Sequence, residues 1–110
     1  CGILVQDNAR GTFTGNDVAK SGLAGIAIST QSSEAMFRVN TVRENKEAGI
    51  LVFNGGSPVI SGGSLTQNVV AGLVVMHRST PRLSSVMIHD NIGCGCLFDE
   101  EGRGELRLCE

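Results

Sequence analysis

The sequence has no tryptophan and no tyrosine, and its only aromatic side chains are four phenylalanines among 110 residues. Sugar-binding sites usually rely on aromatic platforms, so a carbohydrate ligand has little support from composition. An excess of basic residues is also missing, because nine Lys and Arg face eleven Asp and Glu. Nucleic-acid surfaces normally need clustered positive charge, so we predict no nucleic-acid partner.

Long hydrophobic runs are missing as well. No apolar segment approaches the roughly 18 residues of a membrane span, so we predict no membrane partner. The chain is nevertheless 41% hydrophobic and only 18% charged, which is typical of a folded domain. Fifteen glycines and short apolar runs argue against a helical bundle.

The main feature is an internal repeat of 23–24 residues. A glycine followed by alternating apolar residues occurs five times, at Gly2–Val5, Gly25–Ile28, Gly49–Val52, Gly72–Val75 and Gly95–Phe98. Two further apolar columns keep the same step: Phe13, Phe37, Ile60, Leu83 and Leu106, and then Val18, Val42, Leu65 and Ile88. An asparagine column of Asn45, Asn68 and Asn91 precedes the later glycine motifs. We expect these asparagines to occupy left-handed corners and to bond to one another.

Short alternating runs separated by Gly, Asn, Ser and Pro predict β-strands. With the repeat length, they resemble the right-handed parallel β-helix, so we predict an all-β solenoid. Dividing 110 residues by a step of 23–24 residues gives about 4.7 rungs, starting near residues 2, 25, 49, 72 and 95. We interpret residues 1–110 as one β-helix segment, expected to belong to a longer coil and to self-associate through its open ends.

Alternation assigns one column to the outside of the coil, namely Leu4, Ala27, Leu51, Val74 and Leu97. Phe53 and Met76 lie beside it. An outer sheet face normally carries polar residues, so an apolar stripe implies that something covers it. We predict a binding face of Leu4, Leu51, Phe53, Val74, Met76 and Leu97, covered by a protein partner or by a flanking part of the same chain.

The unit from Asn45 to Pro58 resembles the parallel β-helix repeats of carbohydrate-binding proteins and sugar hydrolases. It looks most like the repeat array of F-box-only ubiquitin-ligase subunits. This resemblance implies a non-enzymatic interaction scaffold, either recognising substrates for ubiquitin transfer or forming part of a larger assembly. The alternative is a carbohydrate-binding or carbohydrate-cleaving module.

Catalytic residues are not predicted. Lyases and hydrolases of this fold need neighbouring carboxylates, whereas one turn column reads Asp7, Thr30, Asn54, His77 and Glu100. The run Asp99–Glu101 is typical of a solvated turn. Cys1 and Cys94 lie four rungs apart, roughly 19 Å, too far for a disulfide. We therefore predict no metal, no cofactor, and unpaired core cysteines in an intracellular, cytoplasmic protein.

Overall fold

A computed structural model describes residues 2–5, 11–29, 35–76, 78–98 and 105–107 of the chain. In these ranges every regular element is a short β-strand. The strands, in chain order, are β1 (Ile3–Val5), β2 (Gly11–Thr14), β3 (Asp17–Ala19), β4 (Ile26–Ser29), β5 (Ala35–Arg38), β6 (Thr41–Arg43), β7 (Ala48–Phe53), β8 (Val59–Ser61), β9 (Ser64–Thr66), β10 (Ala71–Val75), β11 (Arg82–Ser84), β12 (Met87–His89), β13 (Cys94–Phe98) and β14 (Glu105–Arg107). Across the described ranges, no helix has the length and apolarity needed to cross a membrane.

The strands form three parallel sheets, and each strand pairs with the strand three positions later in the chain. Sheet 1 has the order β1-β4-β7-β10-β13, and sheet 2 contains β2, β5, β8, β11 and β14. Sheet 3 contains β3, β6, β9 and β12. One strand for each sheet in every turn is the topology of a solenoid, and the predicted all-β parallel coil is confirmed with about four turns.

The predicted columns are also confirmed as the register between rungs. In sheet 1, Ile3 pairs with Ile26 and Ile26 with Ile50, and in sheet 3 Val42 pairs with Leu65. These inward side chains form one continuous core, in which fifteen of the described residues are buried. Phe13 and Phe37 stack inside it with ring centroids 4.8 Å apart.

The asparagine column forms a ladder at the corner before sheet 1. The Oδ1 of Asn68 accepts from the backbone N–H of Asn45 at 3.2 Å and from its side-chain amide at 2.9 Å. In the next rung, the Oδ1 of Asn91 accepts in the same way from the backbone N–H and the side-chain amide of Asn68. Asn45 and Asn68 are fully buried. Each buried amide therefore has partners, and the ladder satisfies corner backbone that the sheets leave unpaired.

Left-handed backbone at this corner belongs to the residue before each asparagine position, which corrects the sequence prediction. Lys20, Glu44, Gln67 and Asp90 have φ between 54° and 59°. The reason is the ladder itself, because the asparagine must direct its amide along the coil axis toward the next rung. The preceding residue then makes the corner.

The same ladder explains the motif glycines Gly25, Gly49 and Gly72, which lie at or just before the start of sheet 1 strands. A Cβ added to Gly49 would lie 2.7 Å from the Asn68 amide nitrogen and 2.7 Å from the carbonyl oxygen of Gly72. Gly25 and Gly72 face the same obstruction from their own neighbours. At these three positions the glycine thus reflects a close approach between rungs rather than a turn.

Candidate functional site

The predicted outer column lies on the outer face of sheet 1. Leu4 pairs with Ala27, Ala27 with Leu51, and Leu51 with Val74, which in turn pairs with Leu97. Side-chain exposure varies along this line: Leu4 is 53% exposed and Leu97 is 40% exposed, whereas Val74 is only 6% exposed. Leu51 is half-buried. The column is continuous, but its centre is less accessible than its ends.

Val74 is buried because the outer face has a small apolar cluster of its own. Ala48, Ala71 and Val74 form this cluster, and Leu51 and Met76 pack against it. It is separate from the main core inside the coil. The structure therefore brings three of the predicted site residues, Leu51, Val74 and Met76, together at one cluster. We call this cluster, with Leu4, Phe53 and Leu97, the sheet 1 surface.

Phe53 is half-buried at the end of β7 and pairs in register with Ser29 of β4. Sequence reasoning missed Ala48 and Ala71 as part of this surface, although a small residue, Ala or Cys, precedes each motif glycine. It also missed an exposed apolar corner leading into sheet 1. That corner contains Leu23, Val69, Val70 and Ile92, which are 43% to 74% exposed.

The outer faces of the other two sheets have a different character. Sheet 3 presents Asp17, Thr41 and Arg43 in β3 and β6 and Ser64 and Thr66 in β9. In β12 it presents exposed His89 and one exposed apolar residue, Met87. Sheet 2 presents exposed Thr12, Thr14, Arg38 and Arg82, together with exposed Met36. Polar outer faces of this kind are normal for a solvated sheet. Among the described strands, the apolar outer column is therefore specific to sheet 1.

Charged groups in the described ranges form local pairs. Arg43 donates from Nε and Nη2 to the two carboxylate oxygens of Asp17, both at 3.0 Å, and also bonds to the Glu44 carboxylate. The Arg43 guanidinium lowers the pKa of Asp17, chiefly through this hydrogen bond. Asp17 in turn raises the pKa of Arg43. This arrangement is that of a surface ion pair between neighbouring rungs.

A reactive cluster is not found in the part of the chain that the structure describes. No group of three or more His, Cys, Asp or Glu side chains there could hold a metal ion. His89 contacts Asp90 through Nδ1 and Oδ2 at 2.8 Å, on the exposed end of β12. A shallow groove between sheets 2 and 3 is lined by Thr14, Arg38, Val39, Ser61 and Gly62, without a carboxylate.

Several positions named in the sequence analysis lie outside the described residues, namely Cys1, Asp7, Thr30, His77 and Asp99–Glu101. The last of the four cysteines, Cys109, also lies outside them. Of the two described cysteines, Cys96 is half-buried against the core, in the column of Ile50. Cys94 is exposed, which corrects the prediction that it is a core residue. It follows Ala48 and Ala71 in the outer column of small residues. Among the described strands β13 lies at an edge of sheet 1, so no second described strand covers it.

Comparison with known proteins gives one positive finding. A family model described as a right-handed beta helix region matches residues 1–109. No curated protein and no solved structure matches the chain.

Proposed function

Because the chain belongs to the right-handed β-helix family, we propose that it is a rigid, non-enzymatic interaction scaffold whose contact face is the sheet 1 surface. The observation that carries this proposal is the second apolar cluster outside the core, formed by Ala48, Ala71 and Val74 with Leu51 and Met76. It continues to exposed Leu4 and Leu97 at its two ends. Apolar area of this kind, on a sheet face that is normally polar, marks a surface that another protein segment covers.

The stiffness of the coil supports the same proposal. The apolar column is held by main-chain pairing between five neighbouring strands of sheet 1. A face that is ordered before binding loses little conformational entropy when a partner docks. A modest apolar patch on such a face can therefore bind a partner, because little of the binding free energy is lost to ordering the face.

The covering segment is either a separate protein or a flanking part of the same chain. A narrower form of the proposal is substrate recognition in a ubiquitin-ligase subunit, and it rests on the likeness of the repeat unit from Asn45 to Pro58. The family match supports the β-helix repeat without distinguishing this role from a structural role in a larger assembly. Cytoplasmic location likewise stays a prediction.

The proposal is tested with the full protein that carries this chain, tagged and used to capture partners from lysate. Leu51→Lys places a charge in the half-buried centre of the sheet 1 surface. Met87→Lys is the matched control, because Met87 is an exposed apolar residue, 48% accessible, on sheet 3. Val74 is not used, since a charge at this buried position would disturb the local packing.

The scaffold proposal predicts a defined set of captured proteins that is lost with Leu51→Lys and kept with Met87→Lys. Circular dichroism must show the same folded coil in both variants. If the wild type, Leu51→Lys and Met87→Lys all captured the same proteins, a contact through the sheet 1 surface would be contradicted. A glycan array then tests the alternative of a carbohydrate-binding module.

A further inference from the structure

The turn after β7 contains the chain's one Asn-Gly pair, Asn54–Gly55. Both residues have left-handed backbone, with φ of 51° and 81°. The N–H of Gly56 donates to the carbonyl oxygen of Phe53 at 3.1 Å and closes the turn. Positive φ at both central positions is characteristic of a type I′ turn, for which Asn-Gly is the preferred pair.

Neither reacting group of this pair is held by a hydrogen bond to a described residue. Asn54 is exposed, and its side-chain amide has no hydrogen-bond partner among the described residues. The backbone N–H of Gly55 likewise donates to no described acceptor. A Cβ added at Gly55 would meet no atom within 4 Å outside the adjoining residues, so no other part of the coil crowds this side of Gly55.

The ladder asparagines provide the contrast within the same molecule. Asn45 and Asn68 are fully buried, and their amides are held by hydrogen bonds to neighbouring rungs. Asn68 is followed by Val69, whose side chain hinders attack by the backbone nitrogen. Reaction at Asn68 therefore requires local opening of the coil, whereas the Asn54 side chain is already exposed to solvent.

We propose that Asn54 is a site of spontaneous deamidation. The backbone nitrogen of Gly55, after losing its proton to hydroxide, attacks Cγ of Asn54 and forms a C–N bond. The Cγ–Nδ2 bond breaks, and the side-chain nitrogen leaves as ammonia after taking up a proton from water. Water then opens the resulting five-membered succinimide to aspartate or isoaspartate, with no redox change.

The product carries a new carboxylate directly after Phe53, at the edge of the sheet 1 surface. This consequence rests on the proposed function: a negative charge there disfavours an apolar partner, so that aged protein binds less well than fresh protein. Deamidation itself is measured as a mass increase of the peptide. That measurement needs no partner, so it tests the modification separately from the proposed function.

The experiment incubates the folded chain at pH 8 and maps it by tryptic digestion with tandem mass spectrometry. One tryptic peptide, from Glu47 to Arg78, contains both Asn54 and Asn68, so the two sites are compared in a single molecule. We expect Asn54 to gain one mass unit at least about tenfold faster than Asn68, because Asn68 must first be exposed by opening. The rate at Asn54 should rise from pH 6 to pH 8.

Two controls complete the test. Asn54→Gln keeps an amide but requires a six-membered ring, and it should abolish the fast mass gain in this peptide. Incubation in urea gives the rate set by the local sequence alone. Equal rates at Asn54 and Asn68 in the folded chain would overturn the proposal, as would a folded rate at Asn54 far below its rate in urea.

Discussion

Val39 shows at the residue scale how the coil imposes its own geometry on the sequence. It has φ of 53° although it is β-branched, and its side chain is 64% exposed. Gly15, Gly62 and Ser85 occupy the equivalent corner of the other rungs and are left-handed as well. A valine in this region is strained, because its Cβ crowds the backbone. The strain persists because sheets 2 and 3 fix the corner from both sides.

Replacing this valine should stabilise the protein. We expect Val39→Gly to raise the free energy of unfolding by about 1 kcal/mol, the relief of left-handed strain less the added flexibility of glycine. Val59→Gly is the matched control, because Val59 lies in strand β8, and it should destabilise by about 1 kcal/mol. Denaturant unfolding measures both changes. A loss of stability with Val39→Gly would show that the left-handed backbone of Val39 is not a source of strain.

The Asp17–Arg43 pair gives a pH-dependent prediction at the same scale. Arg43 lowers the pKa of Asp17 in the folded state, so the stabilisation is present above the unfolded pKa of about 4. It is lost as the pH falls below that value through the lower folded pKa. The gap in melting temperature between wild type and Asp17→Asn should therefore be small at pH 7 and vanish near pH 2. The gap should disappear at every pH in an Arg43→Gln background.

At the scale of the strand, the glycine near the start of β7 permits adjacent rungs to stack. Gly49→Ala forces a methyl group against the Asn68 amide and the Gly72 carbonyl oxygen. We expect a loss of about 1–3 kcal/mol, typical of overpacking in a close-packed interior. Thermal or urea unfolding gives the value.

Gly95 provides the control for this substitution. A Cβ at Gly95 would meet only the Ile88 side chain, at 3.6 Å, an ordinary contact. Gly95→Ala should therefore change stability by no more than about 0.5 kcal/mol. Equal losses at Gly49 and Gly95 would mean that close approach between rungs is not the reason for the repeated glycine.

The elements also show what the sequence can predict. Columns with a step of 23–24 residues specify which residues pair, because parallel rungs stack like on like, and the pairing of Phe37 with Ile60 was predicted in this way. Exposure was harder to predict, since it depends on neighbours across the face. Val74 is buried in the cluster that it forms with Ala48 and Ala71, against which Leu51 and Met76 pack. Which corner residue has left-handed backbone depends on the direction of the asparagine amides. The spacing of the repeat does not give that direction, so the left-handed residue could not be predicted from it.

At the scale of the whole molecule, the rungs form one continuous core with exposed apolar groups on the edge strands of sheet 1. Leu4 in β1 is 53% exposed, and Leu97 and Phe98 in β13 are each 40% exposed. Unpaired strand edges with apolar side chains favour association with another chain. We expect the 110-residue chain, produced alone, to show concentration-dependent oligomers in analytical ultracentrifugation. A monomeric chain with a cooperative melt would contradict this expectation.

The central claim is that the sheet 1 surface is covered by a protein segment, and site-specific photo-crosslinking tests it most directly. A photoreactive amino acid replaces Leu51 in the full protein, and a second variant carries it at Met87 on sheet 3. The account predicts efficient cross-linking from position 51, to one partner or to a flanking segment of the same chain, with little from position 87. Mass spectrometry of the cross-linked peptides decides between these two occupants. Equal, diffuse labelling from both positions would show that the sheet 1 surface is solvated and would contradict the account.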